Sequence, residues 1–187
     1  IRVTGGGTSI VDAVAEALSY LERSAPSRRR AVILISDNLE GNSRASAEMA
    51  VRIALESDAT VYSVKIRQSV APLPFGLPVS RLPLPGLPSP GPGYDPASVI
   101  TRETGGEIFE ATASRLDAAL ATAVARLKMR YTLGYDPVHS SFAGNYHGIE
   151  VRLADRFGRP GLDYRIHSRS GYYEKQAEST TGQSDRR

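Results

Sequence analysis

The sequence predicts an α/β layer fold with a small antiparallel β appendage at its C-terminal side. Three observations predict it. Helix-type and strand-type segments alternate from residue 9 to about residue 129, joined by short connections apart from one Pro-rich interruption. Inside that alternation, Ala31-Val32-Ile33-Leu34-Ile35 is a continuous apolar run rich in β-branching, the pattern of a strand covered on both faces in a parallel sheet. Past residue 130 the alternation stops, and strand-type segments are separated only by turn residues.

The elements follow in order. Gly5-Gly6-Gly7-Thr8 reads as a turn, and Ser9 to Ser24 as a helix, with Ile10, Val14, Leu18 and Leu21 at helical spacing. Thr8 or Ser9 can cap it, and Ser9 with Asp12 resembles a capping box with Asp in place of Glu. Pro26 and Arg28-Arg29-Arg30 form a solvated loop before the strand Ala31–Ile35, which stops at Ser36-Asp37-Asn38. A second helix is predicted from about Ser43 to Ser57, with Ala47, Ala50, Val51, Ala54 and Leu55 facing inward. Thr60 to Ile66 is the second strand. Parallel strands joined through helices imply right-handed crossovers.

Residues 71–93 then hold eight of the twelve prolines. Such a stretch builds neither ladder nor helix and favours polyproline II, so it reads as an extended surface insertion. It is either a passive loop or a ligand for a polyproline-reading groove. The α/β pattern resumes at Asp95, the N-cap of a helix with Pro96 at its first position, ended by Gly105-Gly106. Glu107 to Ala111 is a third strand. A longer helix runs to about Met129, with Leu116, Leu120, Val124 and Leu127 as its core stripe. Tyr131–Tyr135, Gly148–Ala154 and Leu162–Ser168 are three strand candidates for the appendage. The organisation expected is thus an α/β domain over 1–130, the β appendage over 131–174 and a disordered polar tail over 175–187.

Composition removes several function classes. The chain has 187 residues, 41% hydrophobic and 23% charged, with a formal net charge of +3. With no cysteine it has no disulfides, thiolate zinc sites or Cys nucleophile. No apolar run approaches the roughly 20 residues of a transmembrane helix. The chain opens at Ile1 rather than Met, which reads as a fragment or processed chain whose upstream part is missing.

Two places look like site material. Thr8 stands at a helix N-terminus behind three glycines, and Ser36-Asp37 stands at the carboxyl end of a strand, where open parallel sheets bind ligands. A hydroxyl and a carboxylate are hard oxygen ligands suited to Mg²⁺ or Mn²⁺. The plainer reading makes Thr8 an N-cap and Asp37 a turn residue. The Gly-rich turn lacks the Lys of a phosphate-binding loop, which argues against nucleotide binding. Arg28-Arg29-Arg30 comes without an aromatic platform, which argues against nucleic acid. His139, His147 and His167 lack the spacing of a zinc pair and read as surface residues. Six tyrosines in the C-terminal third suit cross-strand packing or an aromatic partner surface. No GxSxG elbow or Ser–His pairing points to an enzyme. Asp37 as an aspartyl-phosphate site lacks a second carboxylate beside it, and Glu40, three residues on in a turn, is a poor substitute.

The strings GGGTSIVDAVAEAL, AVILISDNLEGNS, DATVYSVKI and ITRETGGEIFEA resemble the later two-thirds of a von Willebrand factor type A domain. The following RLDAALATAVARLKMRYTLGYDP and the terminal RSGYYE are similar to the acidobacterial VWFA-related family. The resemblance covers roughly residues 4 to 174. It implies a Rossmann-like parallel sheet lacking its first strands, and a non-catalytic protein-binding module. In that family a metal-ion-dependent adhesion site uses Asp-x-Ser-x-Ser, a loop Thr and a later Asp. By motif match the resemblance makes Thr8 the loop Thr and Asp37 the later Asp. The Asp-x-Ser-x-Ser element would lie upstream of Ile1, leaving two of five ligands here. Asn38 stands where the family commonly has Gly, and Asn tolerates left-handed backbone angles. The resemblance also implies an exported or envelope-associated protein with an unidentified protein partner. A metal-free structural scaffold and a phosphotransfer or hydrolase domain using Asp37 are the competing expectations.

Overall fold

The computed structural model describes residues 8–67, 95–135, 144–154 and 165–174. The Pro-rich stretch, His139, Tyr164 and the tail at 175–187 fall outside the described residues. The described elements run α1 (Ile10–Ser24), β1 (Arg30–Ser36), α2 (Ala47–Glu56), β2 (Ala59–Ile66), α3 (Pro96–Glu103), β3 (Ile108–Ala111), a 3₁₀ turn (Ala113–Arg115), α4 (Leu116–Lys128), β4 (Tyr146–Gly148) and β5 (Gly171–Tyr173). The first three strands form one parallel sheet in the order β1-β2-β3, and β4 pairs antiparallel with β5. Among the described residues no helix is long and apolar enough to cross a membrane.

The core lies on one face of the parallel sheet. Ile10, Val11, Val14 and Leu18 of α1 pack with Ala47, Ala50 and Ala54 of α2, Ala97 and Ile100 of α3, and Ala59 and Val61 of β2. Alanines on α2 let that helix approach its neighbours closely, and the larger side chains come from α1 and α3. Each of Ile10, Leu18 and Ile100 is essentially fully buried, which stabilises the fold by about 1.5–3 kcal/mol per side chain. By the two-residue period of a strand, Tyr62 points to the opposite face. There it stacks on Phe109, with ring centroids 6.5 Å apart. Arg130, just past α4, donates to Thr60 from that same side.

Three differences from the predicted elements have physical causes. The run Ala31–Ile35 is parallel but not covered on both faces: every residue of β1 is half-buried except Ile35, which is 47% exposed. The central strand is instead β2, in which Val61 to Val64 are all buried. β1 is the edge of the described sheet, with a paired neighbour on one side only. Helix α2 starts at Ala47 rather than Ser43 because Ser43 is engaged elsewhere. Its Oγ accepts from Val11 N (3.0 Å) and Asp12 N (3.2 Å) at the start of α1. Ser46 becomes the N-cap of α2, accepting from Met49 N at 3.3 Å. On α4, Leu116, Leu120 and Leu127 are half-buried and Val124 is exposed, so the buried residue is Ala123. The three-stranded sheet is too narrow to cover a full leucine stripe.

The appendage is antiparallel as expected, but its strands are shorter and lie elsewhere. Tyr131–Tyr135 and 149–154 form no strand, and neither does the described part of the third candidate, 165–168. Tyr146–Gly148 pairs with Gly171–Tyr173, and Ile149 N donates to Ser170 O at 2.7 Å. Gly171 is required there, because a Cβ would sit 2.3 Å from His147 O and 2.5 Å from Tyr146 Cζ. The hairpin is tied to the helical layer by a bridge between Thr104 and Arg169 and by Ser170 N donating to Glu103 O at 2.9 Å.

Candidate functional site at the carboxyl ends of the strands

The strand register decides which side chains meet at the carboxyl edge of the sheet. Leu34 lies beside Ser63, and Ser36 beside Lys65. Val61, Ser63 and Lys65 share the face that packs against the helices, so β2 ends with a hydroxyl and then an ammonium under the start of α3. Asp95 caps α3 from above, accepting from Ser98 N at 2.9 Å. Lys65 Nζ donates to Asp95 Oδ2 at 2.9 Å, and Ser98 Oγ donates to the same oxygen at 2.8 Å. Asn38 Nδ2 reaches that oxygen at 3.4 Å, and Asn38 Oδ1 accepts from Ser63 Oγ at 3.3 Å. Burial alone would raise the Asp95 pKa. The Lys65 ammonium and the two Ser98 donors outweigh it and hold the carboxyl below its ordinary range.

Asn38 is the hinge of this network. It is buried, and its φ of 61° places it in the left-handed region. Asn visits that region more readily than other non-glycine residues. The left-handed turn carries the chain from β1 into the loop after Asp37. Ser36 Oγ accepts from Asn38 N at 3.1 Å, and Asp37 Oδ1 accepts from Leu39 N at 3.0 Å. The second contact is an Asx turn, the role the plainer sequence reading gave Asp37.

The same loop reaches the N-terminus of α1, where Thr8 stands. The carbonyl of exposed Thr8 accepts from Gly41 N at 2.9 Å, so the segments bearing Thr8 and Asp37 meet at one end of the sheet. Ser9 is the N-cap position of α1 but makes no side-chain cap, and the expected Ser9–Asp12 capping box does not form. The free N–H groups of the first turn are satisfied from outside the helix. Glu40 accepts from Val11 N at 3.1 Å and from Ser43 N at 2.9 Å. Asp12 points back across the gap, its Oδ1 accepting from Ala45 N at 2.9 Å and its Oδ2 from Arg44 N at 3.0 Å. These backbone donors, Ala45 first and then Arg44, hold the Asp12 carboxyl below its ordinary range. Glu40, read from the sequence as a turn residue and a poor second carboxylate for Asp37, is thus a helix cap supplied by another segment. It places a carboxylate at the helix N-terminus, where a phosphate would otherwise be attracted.

Thr8 and Asp37 are brought to one edge, but they offer two oxygen ligands where a divalent cation takes six or more. Among the described residues no three His, Cys, Asp or Glu side chains are grouped to hold a metal ion. The two residues do not by themselves fit a Mg²⁺ or Mn²⁺ site. The cation seated at this edge is the Lys65 ammonium on Asp95. Sequence reasoning singled out Asn38 for a left-handed backbone, which its φ of 61° bears out, but missed its side-chain bonds and missed Lys65 and Ser63. The signal was a Ser and a Lys two residues apart at the carboxyl end of a strand whose other residues are mostly apolar.

The remaining candidates have plainer roles. Arg30 begins β1 and donates to the carbonyls of Ala25 (3.1 Å), Pro26 (2.7 Å) and Ser57, while Arg28 and Arg29 are exposed. His147 stacks on Tyr172 with centroids 5.0 Å apart, and His167 is exposed. Tyr146 packs on Tyr173 at 5.3 Å and Tyr135 on Tyr172 at 6.1 Å, whereas Tyr131 is 92% exposed. No protein-family model, no curated protein and no solved structure matches this chain.

Proposed function

We propose that this chain is a non-catalytic protein-binding module on the plan of a von Willebrand factor type A domain, presenting the carboxyl edge of its sheet to a protein partner. One observation carries the reading. At that edge the polar side chains are fastened to one another and to backbone, through Asp95, Lys65, Asn38 and Ser63 on one side and Glu40, Ser43 and Asp12 on the other. A rigid polar surface suits recognition, because little side-chain freedom is lost when a partner docks. The phosphotransfer alternative draws less support. Glu40 is committed to α1 and Lys65 to Asp95, so neither is placed to serve chemistry at Asp37.

Within this reading, dependence on Mg²⁺ or Mn²⁺ is the version that employs Thr8 and Asp37, with further ligands supplied from outside the described residues. The Lys65–Asp95 pair favours the metal-free version, in which an internal ammonium holds the edge together. Partner capture by the full-length protein, measured with Mg²⁺ and then with EDTA, separates the two. Loss with EDTA and with Asp37→Ala supports the cation. Equal capture under both conditions, with loss on Lys65→Met, supports the metal-free edge. Capture unaffected by both Asp37→Ala and Lys65→Met would overturn the proposed edge.

A further inference from the structure

The open edge of the parallel sheet and the chain just beyond α4 are complementary. Among the described residues β1 has a paired neighbour on one side only. Its run Ala31–Ile35 holds no charge, no proline and no glycine, whereas exposed edge strands are ordinarily protected by a charge, a proline or a bulge. Beside this edge an open cleft of about 530 Å³ lies between α1 and β1. Ala13, Ala17, Tyr20 and Leu21 of α1 and Ala31 and Val32 of β1 line it, with Glu16 as the charged member. The three alanines leave room for large side chains. Alternate N–H and C=O groups of a parallel strand point away from its partner, so the open edge of β1 calls for an extended backbone. The place is therefore more specific than an apolar face. It suits a β-strand that turns large apolar side chains toward α1.

The chain carries such a strand without a sheet to hold it. Tyr131–Tyr135 has strand-type alternation, yet it forms no ladder among the described residues. In an extended conformation Tyr131, Leu133 and Tyr135 share one side, with the smaller Thr132 and Gly134 on the other. All five residues are exposed, Leu133 by 77%. In its own molecule the segment is tied at both ends, by Arg130 donating to Thr60 and by the Tyr135 ring against Tyr172. It leaves the β1 edge of that molecule open.

We propose that Tyr131–Tyr135 of one copy of this chain adds as a strand to the open edge of β1 in a second copy, with Tyr131 and Leu133 entering the cleft beside α1. Donor and acceptor are different surfaces, so the contact is head to tail, and each copy offers one of each. Backbone hydrogen bonds along β1 supply affinity, and the alanine-lined cleft selects large side chains on alternate residues.

Sedimentation velocity of the whole chain over a wide concentration range tests this. The parent is expected to associate as concentration rises. Leu133→Glu disables the donor and Tyr20→Glu the acceptor, each by bringing a carboxylate into the apolar contact, and each is expected to weaken self-association by about tenfold or more. Both side chains are largely exposed, so the urea midpoints should match the parent's. The two variants mixed are expected to form a one-to-one heterodimer, because Leu133→Glu keeps its acceptor and Tyr20→Glu its donor. A parent that stays monomeric throughout, association that survives either substitution, or a mixture without heterodimer would overturn the inference.

Discussion

The two faces of the parallel sheet are built differently. On one, α1, α2 and α3 bury a continuous cluster that includes Leu18, Ile100 and Val61. On the other, α4 buries only Ala123 completely, and the main aromatic contact is Tyr62 on Phe109. The first face is close-packed, so a deleted methylene leaves a void that its neighbours cannot fill. The second buries Tyr62 and Val64 of β2 but little of α4, so it is the side chains of α4 that lose little when shortened. The difference also explains where polar fastenings are found. The ends of the packed face are locked by Asp95 under α3 and by Glu40 at α1, both engaged in several hydrogen bonds.

The largest expected effect breaks the comparison directly. Ile100→Ala removes a side chain with no exposed surface from the packed face and should cost about 2–5 kcal/mol. Val124→Ala on α4 removes one that is 38% exposed and should cost less than about 1 kcal/mol. Urea unfolding of both variants checks the contrast. Equal losses would mean that α4 is packed as firmly as α3.

Next in size is the lock at the end of the packed face. Asp95→Ala removes the cap from Ser98 N and takes from the Lys65 ammonium and from Asn38 Nδ2 the carboxylate oxygen that both donate to. The loss of the cap alone is worth about 1–2 kcal/mol. Lys65→Met in the Asp95→Ala background should recover part of the loss, because an apolar side chain of similar length no longer strands a half-buried charge. A double-mutant cycle in urea measures it. Strict additivity would show that the two residues do not act as a pair.

How much of this was legible in the sequence depends on the range of the contact. Local signals were read correctly: the alternation of helix and strand, Asp95 with Pro96 opening α3, and Gly105 with φ +74° closing it. Parallel pairing followed from the crossovers. The failures are contacts between distant segments. Ser43 was assigned to α2 because nothing local shows that its hydroxyl serves α1, more than thirty residues earlier. The burial of β1 was overestimated because an apolar run does not reveal whether its strand is central or at an edge. β5 was missed as a strand because Gly171 is needed there for contact with Tyr146 and His147 rather than for any local preference. At the candidate site, the segments bearing Thr8 and Asp37 do meet at one end of the sheet, while the Lys65–Asp95 pair joins distant segments and remained invisible.

The smallest expected effect sharpens the comparison at the other lock. Burial alone would raise the Glu40 pKa, but donors at Ser43, Val11 and Asn42 overcome it and hold the carboxyl below its ordinary value of 4.5. A carboxylate with a folded-state pKa below its unfolded one stabilises the fold above the unfolded value, and the gain is lost as pH falls through the folded one. Acid should therefore loosen the junction between α1 and the loop after β1 before it disturbs the apolar cluster. Glu40→Gln should be less stable than the parent by under about 1 kcal/mol at neutral pH, the discount reflecting its largely solvated position. Its stability should also fall less steeply between about pH 5 and about pH 3, since the titrating group is gone. Urea midpoints across that range check both. A variant with an acid limb as steep as the parent's would move the pH sensitivity away from Glu40, leaving Asp12, Glu48 and Asp95 as carboxylates whose hydrogen bonds lower their pKa.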